Sequence, residues 1–263
     1  MTLALSHAAI VGLAISIAAG PVMAQDDWDV VERPGYLSAS LVFDSDIAVA
    51  VRCDDGQLET YIAGLDLPRA AGNRQTIQYA LGDRPMRDSS WQTSRDGRTL
   101  FADVPASLAR QFRSGGDLQL RISTTDDQSA RRHVVSLPVS PAAIDRVLAA
   151  CDRPAHDPYD ELRESEAAAE PLPGPSGTSW EKTPQARYPG RALNAGRTGM
   201  AVLSCLVEED GGLKGCQIEV ERPAGADFGR AAIRATQDAR LARRNPPISG
   251  VVTFTIRFNL PRR

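Results

Sequence analysis

Histidine is scarce in this chain of 263 residues, and lysine is scarcer: three residues are histidine, and Lys182 and Lys214 are the only lysines among 30 basic side chains. The lysine shortage reads as a genome bias without functional content. The histidine shortage does constrain chemistry. Beyond residue 24 only His133 and His156 remain. His156 falls in a proline-rich acidic stretch, and His133 opens an apolar run, RRHVVSLPV, with no Ser-His or Glu-x-x-His pattern beside it. A surface or edge-strand histidine is the expectation there. No glycine loop that could cradle phosphate is present either, because Gly115-Gly116 and Gly211-Gly212 are turn pairs lacking a following lysine and helix. The acidic stretch holds many carboxylates, but a glycosidase needs two held rigidly across a cleft. No enzyme, cofactor, metal or nucleic-acid partner is expected.

Charge is missing from the first 24 residues, MTLALSHAAIVGLAISIAAGPVMA, apart from His7. An apolar core, a Gly-Pro break and a small-residue end before QDDWD mark a secretory signal peptide. The basic start usual for such a peptide is absent, and residues 3–24 are long enough to span a bilayer if retained as an anchor. Both readings export the remainder to the periplasm, where disulfides are allowed. At 42% hydrophobic and 24% charged residues, the composition is that of an ordinary globular protein.

Proline and acidic residues cluster over 152–180, where hydrophobic periodicity lapses except for a short helical turn in the Glu-Ala run, so the segment reads as a disordered linker. It separates two domains, 25–151 and 181–263. The first is β-rich: LSASLVF, IAVAVRC, LETYIAGL, TIQYAL, RTLFADV, DLQLRIS and HVVSLPV are short apolar or alternating runs between turn signals such as Asp54-Asp55-Gly56 and Asp96-Gly97. Helices are expected near 106–112 and after Pro141, the second ending at Cys151. A disulfide from Cys151 to Cys53 would tie that helix to an early strand; two separate buried thiols are the alternative. Pattern by pattern this domain weakly resembles small periplasmic domains of the invasion-associated locus B type, without a motif that transfers a function.

Residues 181–263 carry 14 basic against 8 acidic side chains. Ordinary surface solvation accounts for this first, with attraction to the acidic linker or to an anionic partner as alternatives. The element order is helix, strand, strand, helix, strand. Pro189 opens a short helix, MAVLSCLVEE and LKGCQIEVE form a hairpin, and Asp227 caps a helix with Arg240, Arg243 and Arg244 at its end. GVVTFTIRFNL then alternates, with Val252, Phe254, Ile256, Phe258 and Leu260 inward. The fold class is therefore α+β: a β-rich N-terminal domain joined by a Pro/acidic linker to a small three-stranded antiparallel sheet with two helices covering one face. In a hairpin turning at Asp210-Gly211, Cys205 and Cys216 face each other. Zinc would need two more ligands and a redox pair usually takes Cys-x-x-Cys spacing, so a structural disulfide is expected.

The run of YPGRA, GMAVL, VEEDGGL, QIEVERP, FGRAAIRA and VVTFTIRFNL resembles the C-terminal domain of the TonB energy transducer family over about residues 180–262. The resemblance implies a periplasmic or outer-membrane protein segment as partner, accepted as an added strand beside the last strand of the sheet. The residues implicated are Val251, Val252, Thr253, Phe254, Thr255, Ile256 and Arg257, with Gln185 matching a family glutamine three positions before Tyr-Pro. Transducers of the family keep an N-terminal membrane helix and a long proline-rich tether, whereas this chain inserts a folded domain. A periplasmic binding module is thus the first expectation. An energy transducer anchored by its N-terminus and an enzyme or envelope-structure protein acting through the N-terminal domain are the alternatives. Uncovered sheet edges also leave room for homodimerisation by strand pairing.

Overall fold

The computed structural model describes residues 27–68, 74–123, 130–168, 179–242 and 250–260; the signal segment, Arg243, Arg244 and Pro246-Pro247 lie outside them. Each of the seven apolar runs of the N-terminal domain becomes a strand: β2 (Tyr36–Val42), β3 (Ala48–Asp54), β4 (Gln57–Ala63), β5 (Arg74–Leu81), β7 (Thr99–Ala102), β8 (Gly116–Ser123) and β9 (Ala130–Leu137). Two further strands, β1 (Asp29–Arg33) and β6 (Arg87–Thr93), carry no such pattern: β1 is exposed along its length, and β6 buries only Trp91 and Gln92. All nine form one antiparallel sheet in the order β1-β2-β3-β4-β7-β6-β5-β8-β9. Asp55 and Gly56 both take positive φ, 46° and 76°, which is the backbone a two-residue β3–β4 turn requires.

Helices α1 (Pro105–Phe112) and α2 (Pro141–Ala150) each begin with proline in the first turn, where its missing N–H costs nothing. They pack on each other and on β2, β3 and β4, enclosing a core with Trp91, Phe112, Leu118, Leu120 and Ile144. Cys53 on β3 bonds to Cys151, the residue after α2, with 5.6 Å between their Cα atoms.

The expectation of a disordered linker over 152–180, with no more than a short helical turn in the Glu-Ala run, is corrected: the segment contains the three-turn helix α3 (Pro158–Ala168). Local chemistry starts the helix. The Asp157 carboxylate accepts the N–H of Tyr159 at 3.0 Å, Pro158 opens the first turn, and Asp160 and Glu161 sit where the helix dipole favours anions. Tertiary contacts hold it. Buried Arg110 of α1 donates to Asp160 at 2.5 Å and to Asp157 at 3.3 Å. On the next turn Arg163 donates to Asp160 at 3.0 Å and reaches across to the C-terminal domain.

That ion network has a pH signature. Burial alone would raise the Asp160 carboxyl, but hydrogen bonds from Arg110 and Ser107 and the charges of Arg110 and Arg163 outweigh it, holding the group below its ordinary 3.8. A depressed folded value means that the unfolded chain binds the proton more readily. The contribution is therefore fully present above about pH 4 and is lost as pH falls through the folded value. Denaturant melts of wild type and Asp160→Asn should show the wild type losing more stability between about pH 5 and pH 3; equal slopes would contradict this placement of the carboxylate.

The C-terminal domain comprises β10 (Trp180–Lys182), α4 (Gly190–Asn194), β11 (Gly199–Val207), β12 (Leu213–Arg222), α5 (Phe228–Thr236), β13 (Arg240–Leu241) and β14 (Gly250–Phe258). Its antiparallel sheet has the order β12-β11-β14, and β10 pairs with β13 separately. Helix α5 covers one face, over a core of Ala201, Leu203, Cys205, Phe228, Ala232, Phe254 and Phe258. Tyr188 packs edge-on against both Phe228 and Phe258.

Four local expectations change here. Asp227 precedes α5 but makes no capping bond; the N–H groups of Phe228 and Gly229 donate instead to Glu221 of β12, at 3.3 and 3.2 Å. Gly229 permits this, since a Cβ there would lie 2.9 Å from the Glu221 carboxylate and 2.7 Å from Ile218. Helix α5 ends at Thr236, so Arg240 lies in β13, where it pairs with Asp210. Leu260 lies past the end of β14 and is 39% exposed, not inward. The hairpin turn is also longer than two residues, with Glu208 and Gly212 bonded across it. A register shift between Ser204 and Leu206 still brings Cys205 to Cys216, 4.1 Å apart at Cα.

Candidate functional site

Both faces of the small sheet are covered, where one was expected to be. Alternation along β11 and β14 sends Ser204, Thr253 and Thr255 away from α5, and this polar face meets α3. Arg163 donates to Ser204 Oγ at 2.8 Å and to Glu219 at 2.9 Å, and Ser204 Oγ bonds Thr253 Oγ1 at 2.9 Å. Tyr159 donates its hydroxyl to the carbonyl of Gly215 at 2.5 Å, and Arg153 donates to that of Ile218 at 2.8 Å. Further along, Arg222 of β12 donates to Glu59 and Gln92 of the N-terminal sheet, both at 2.9 Å, and lies 4.8 Å from the Phe101 ring centroid. The two domains are thereby locked face to face.

Within this arrangement β14 pairs with β11 on one side, and among the described residues no other strand pairs with it. Its other side opens on a cleft of about 570 Å³ lined by Phe254, Thr255, Ile256 and Arg257. Successive side chains of a strand point to opposite faces, so a cavity that touches four in a row lies along the strand's edge, not over either face. Trp180, Thr183 and Pro184 form one border, and Trp180 packs edge-on against Phe254 with centroids 5.0 Å apart. Arg74, Thr76 and Ser90 of the N-terminal domain form the other.

The residues singled out by the sequence divide accordingly. Phe254, Thr255, Ile256 and Arg257 line the cleft, while Val251 and Val252 are buried and Thr253 bonds Ser204. Gln185 is exposed, next to Pro184 of the cleft border and outside the lining itself. Thr255 Oγ1 is a buried oxygen with no hydrogen-bond partner among the described residues, and Arg257 is exposed. The disulfide joins the central strand to β12, the strand on the far side from the cleft. His133 lies on the end strand β9, where burial and then the Arg131 charge lower its basicity. Arg74, Thr76 and Ser90 were not anticipated. Their spacing puts Arg74 and Thr76 on one face of β5, but nothing in it says that this face meets another domain.

A second, smaller cavity of about 220 Å³ lies between β5, β6 and α1, with Asp160 and Arg163 at its rim. The ion network already engages Asp160 and Arg163, and Asp103 is paired with Arg74.

Residues 184–260 match the family model of the Gram-negative bacterial TonB protein C-terminal, the region over which the sequence resemblance ran. No curated protein matches the chain. The matched region begins at Pro184 of the cleft border and ends two residues beyond β14, so it includes β14 but none of the N-terminal-domain residues that line the cleft. It supports a TonB-like role in protein interaction or energy transduction at the envelope.

Proposed function

We propose that this chain is a non-enzymatic periplasmic binding module that accepts an extended segment of an envelope protein by strand addition to β14. The observation that carries the reading is the cleft along the β14 edge, lined by four consecutive residues. A strand entering there would bond the main chain of β14 for affinity and place alternate side chains towards the two faces for selectivity. The antiparallel β11–β14 ladder runs unbroken from Gly199↔Phe258 to Val207↔Gly250, so no bulge interrupts the accepting strand.

Proline tests this directly, because it removes one N–H and is tolerated in edge strands when that N–H points away from the ladder. Adjacent residues of β14 alternate in which side their N–H serves. Of Thr255→Pro and Ile256→Pro, one therefore disturbs the bond to β11 and the other removes a donor from the cleft. The second should keep its circular dichroism spectrum and melting temperature close to wild type. It should bind pools of ten-residue extended peptides about tenfold more weakly. Wild-type binding by both variants would overturn the reading.

A further inference from the structure

We propose that the N-terminal domain is a working wall of the β14 cleft, and that the composite slot accepts a single extended segment bearing a carboxylate side chain opposite Arg257. The proposal rests on β14 being the acceptor strand. Arg74 and Thr76 stand two apart on β5, Thr76 is the register partner of Ser90 on β6, and Arg74 donates to Ser90 Oγ at 2.8 Å. One polar patch of the nine-stranded sheet thus lines the same cleft as Phe254, Thr255, Ile256 and Arg257. Its position is fixed without ligand by the Arg222 bonds to Glu59 and Gln92 and by the Arg163 bonds to Ser204 and Glu219.

Charge selects the occupant. The lining contains two arginines and no acid. Arg74 is already matched by Asp103, whereas no ion pair among the described residues engages Arg257. Thr255 and Arg257 project to one face of β14, and a paired strand sets its own side chains about 4.5–5.5 Å from them at directly opposed positions. A carboxylate facing Arg257 gains an ion pair there, and a lysine is repelled. The wall also limits the occupant to one strand, because a second copy pairing through β14 would bring its own N-terminal domain to the same place.

The test uses the full-length chain and two pools of ten-residue peptides, random except for Glu or Lys at a central position. Wild type should retain the Glu pool about threefold better than the Lys pool, and Arg257→Glu should reverse the order. Thr76→Trp, an enlargement of an exposed side chain remote from β14 in sequence, should cut retention of both pools about tenfold without lowering the melting temperature. Unchanged binding by Thr76→Trp, with binding still lost in the β14 proline variant, would remove the wall and leave the acceptor strand standing. If the proline variants also bind normally, the acceptor strand falls as well. Equal retention of the two pools, or a dimer in light scattering that the β14 proline disperses, would overturn the carboxylate and single-strand assignments respectively.

Discussion

Replacing both Cys53 and Cys151 by serine should destabilise the N-terminal domain by about 4–5 kcal/mol, the largest loss expected of any covalent change in this chain. The bridge closes a loop of 98 positions. In the chain-entropy account, the longer the loop, the more conformations a crosslink removes from the unfolded state. Both half-cystines are buried, at 3% and 6% exposure, so the serines would also place hydroxyls in an apolar core. The bridge joins the third strand to the end of α2, 98 positions further along the chain, and so holds the helical layer on the sheet. Thermal melts should show a drop of about 10–20 °C. The Cys205→Ser, Cys216→Ser pair is the internal comparison. It opens a loop of 11 positions, worth about 3 kcal/mol in the same account. A smaller loss for the long loop than for the short one would refute the entropic ordering.

Arg163→Ala should cost about 3–5 kcal/mol, through an uncompensated charge more than through lost attraction. The Glu219 side chain is only 4% exposed and pairs with Arg163 at 2.9 Å. Removing the guanidinium leaves that carboxylate in a low-dielectric interface, together with Ser204 Oγ, whose donor also disappears. Asp160 is less affected, because Arg110 still holds it at 2.5 Å. Apolar replacement of both partners, Arg163→Met with Glu219→Met, should recover most of the loss, since it removes the buried charge along with its partner. Limited proteolysis is the second readout. With the latch gone, α3 should be cut faster while the Cys53–Cys151 domain stays intact. A loss under about 1 kcal/mol in the single variant would show that water reaches Glu219.

Much of the fold was legible because apolar alternation is a local property. Val252, Phe254, Ile256 and Phe258 read as one face of a strand from spacing alone, and that face packs under α5. The strands β1 and β6 were invisible because their stability comes from ladder bonds to β2 and to β5 and β7, not from a buried stripe of their own. The helix α3 is a different case. Its start is written in Asp157-Pro158-Tyr159-Asp160-Glu161, a cap, a first-turn proline and first-turn acids, yet the surrounding Pro/acidic composition outweighed that signal. The cap of α5 was beyond local reading, since the carboxylate that serves it belongs to Glu221 on the preceding strand and Asp227 pairs with Arg230 instead.

The sequence by itself determined the two β-containing domains, both cysteine pairs, the order of elements around the small sheet and the strand that ends it. Periodicity, turn residues and spacing act over a few neighbours, and these features need nothing more. Only the tertiary structure decided what faces what. The second face of the sheet meets α3 because Arg163 can satisfy Ser204 and Glu219 there, and the β14 edge looks onto Arg74, Thr76 and Ser90 because Arg222 fixes the domains in that orientation. Such pairings join residues up to 163 positions apart. Their partners are chosen by geometry and charge at a distance that no local pattern records.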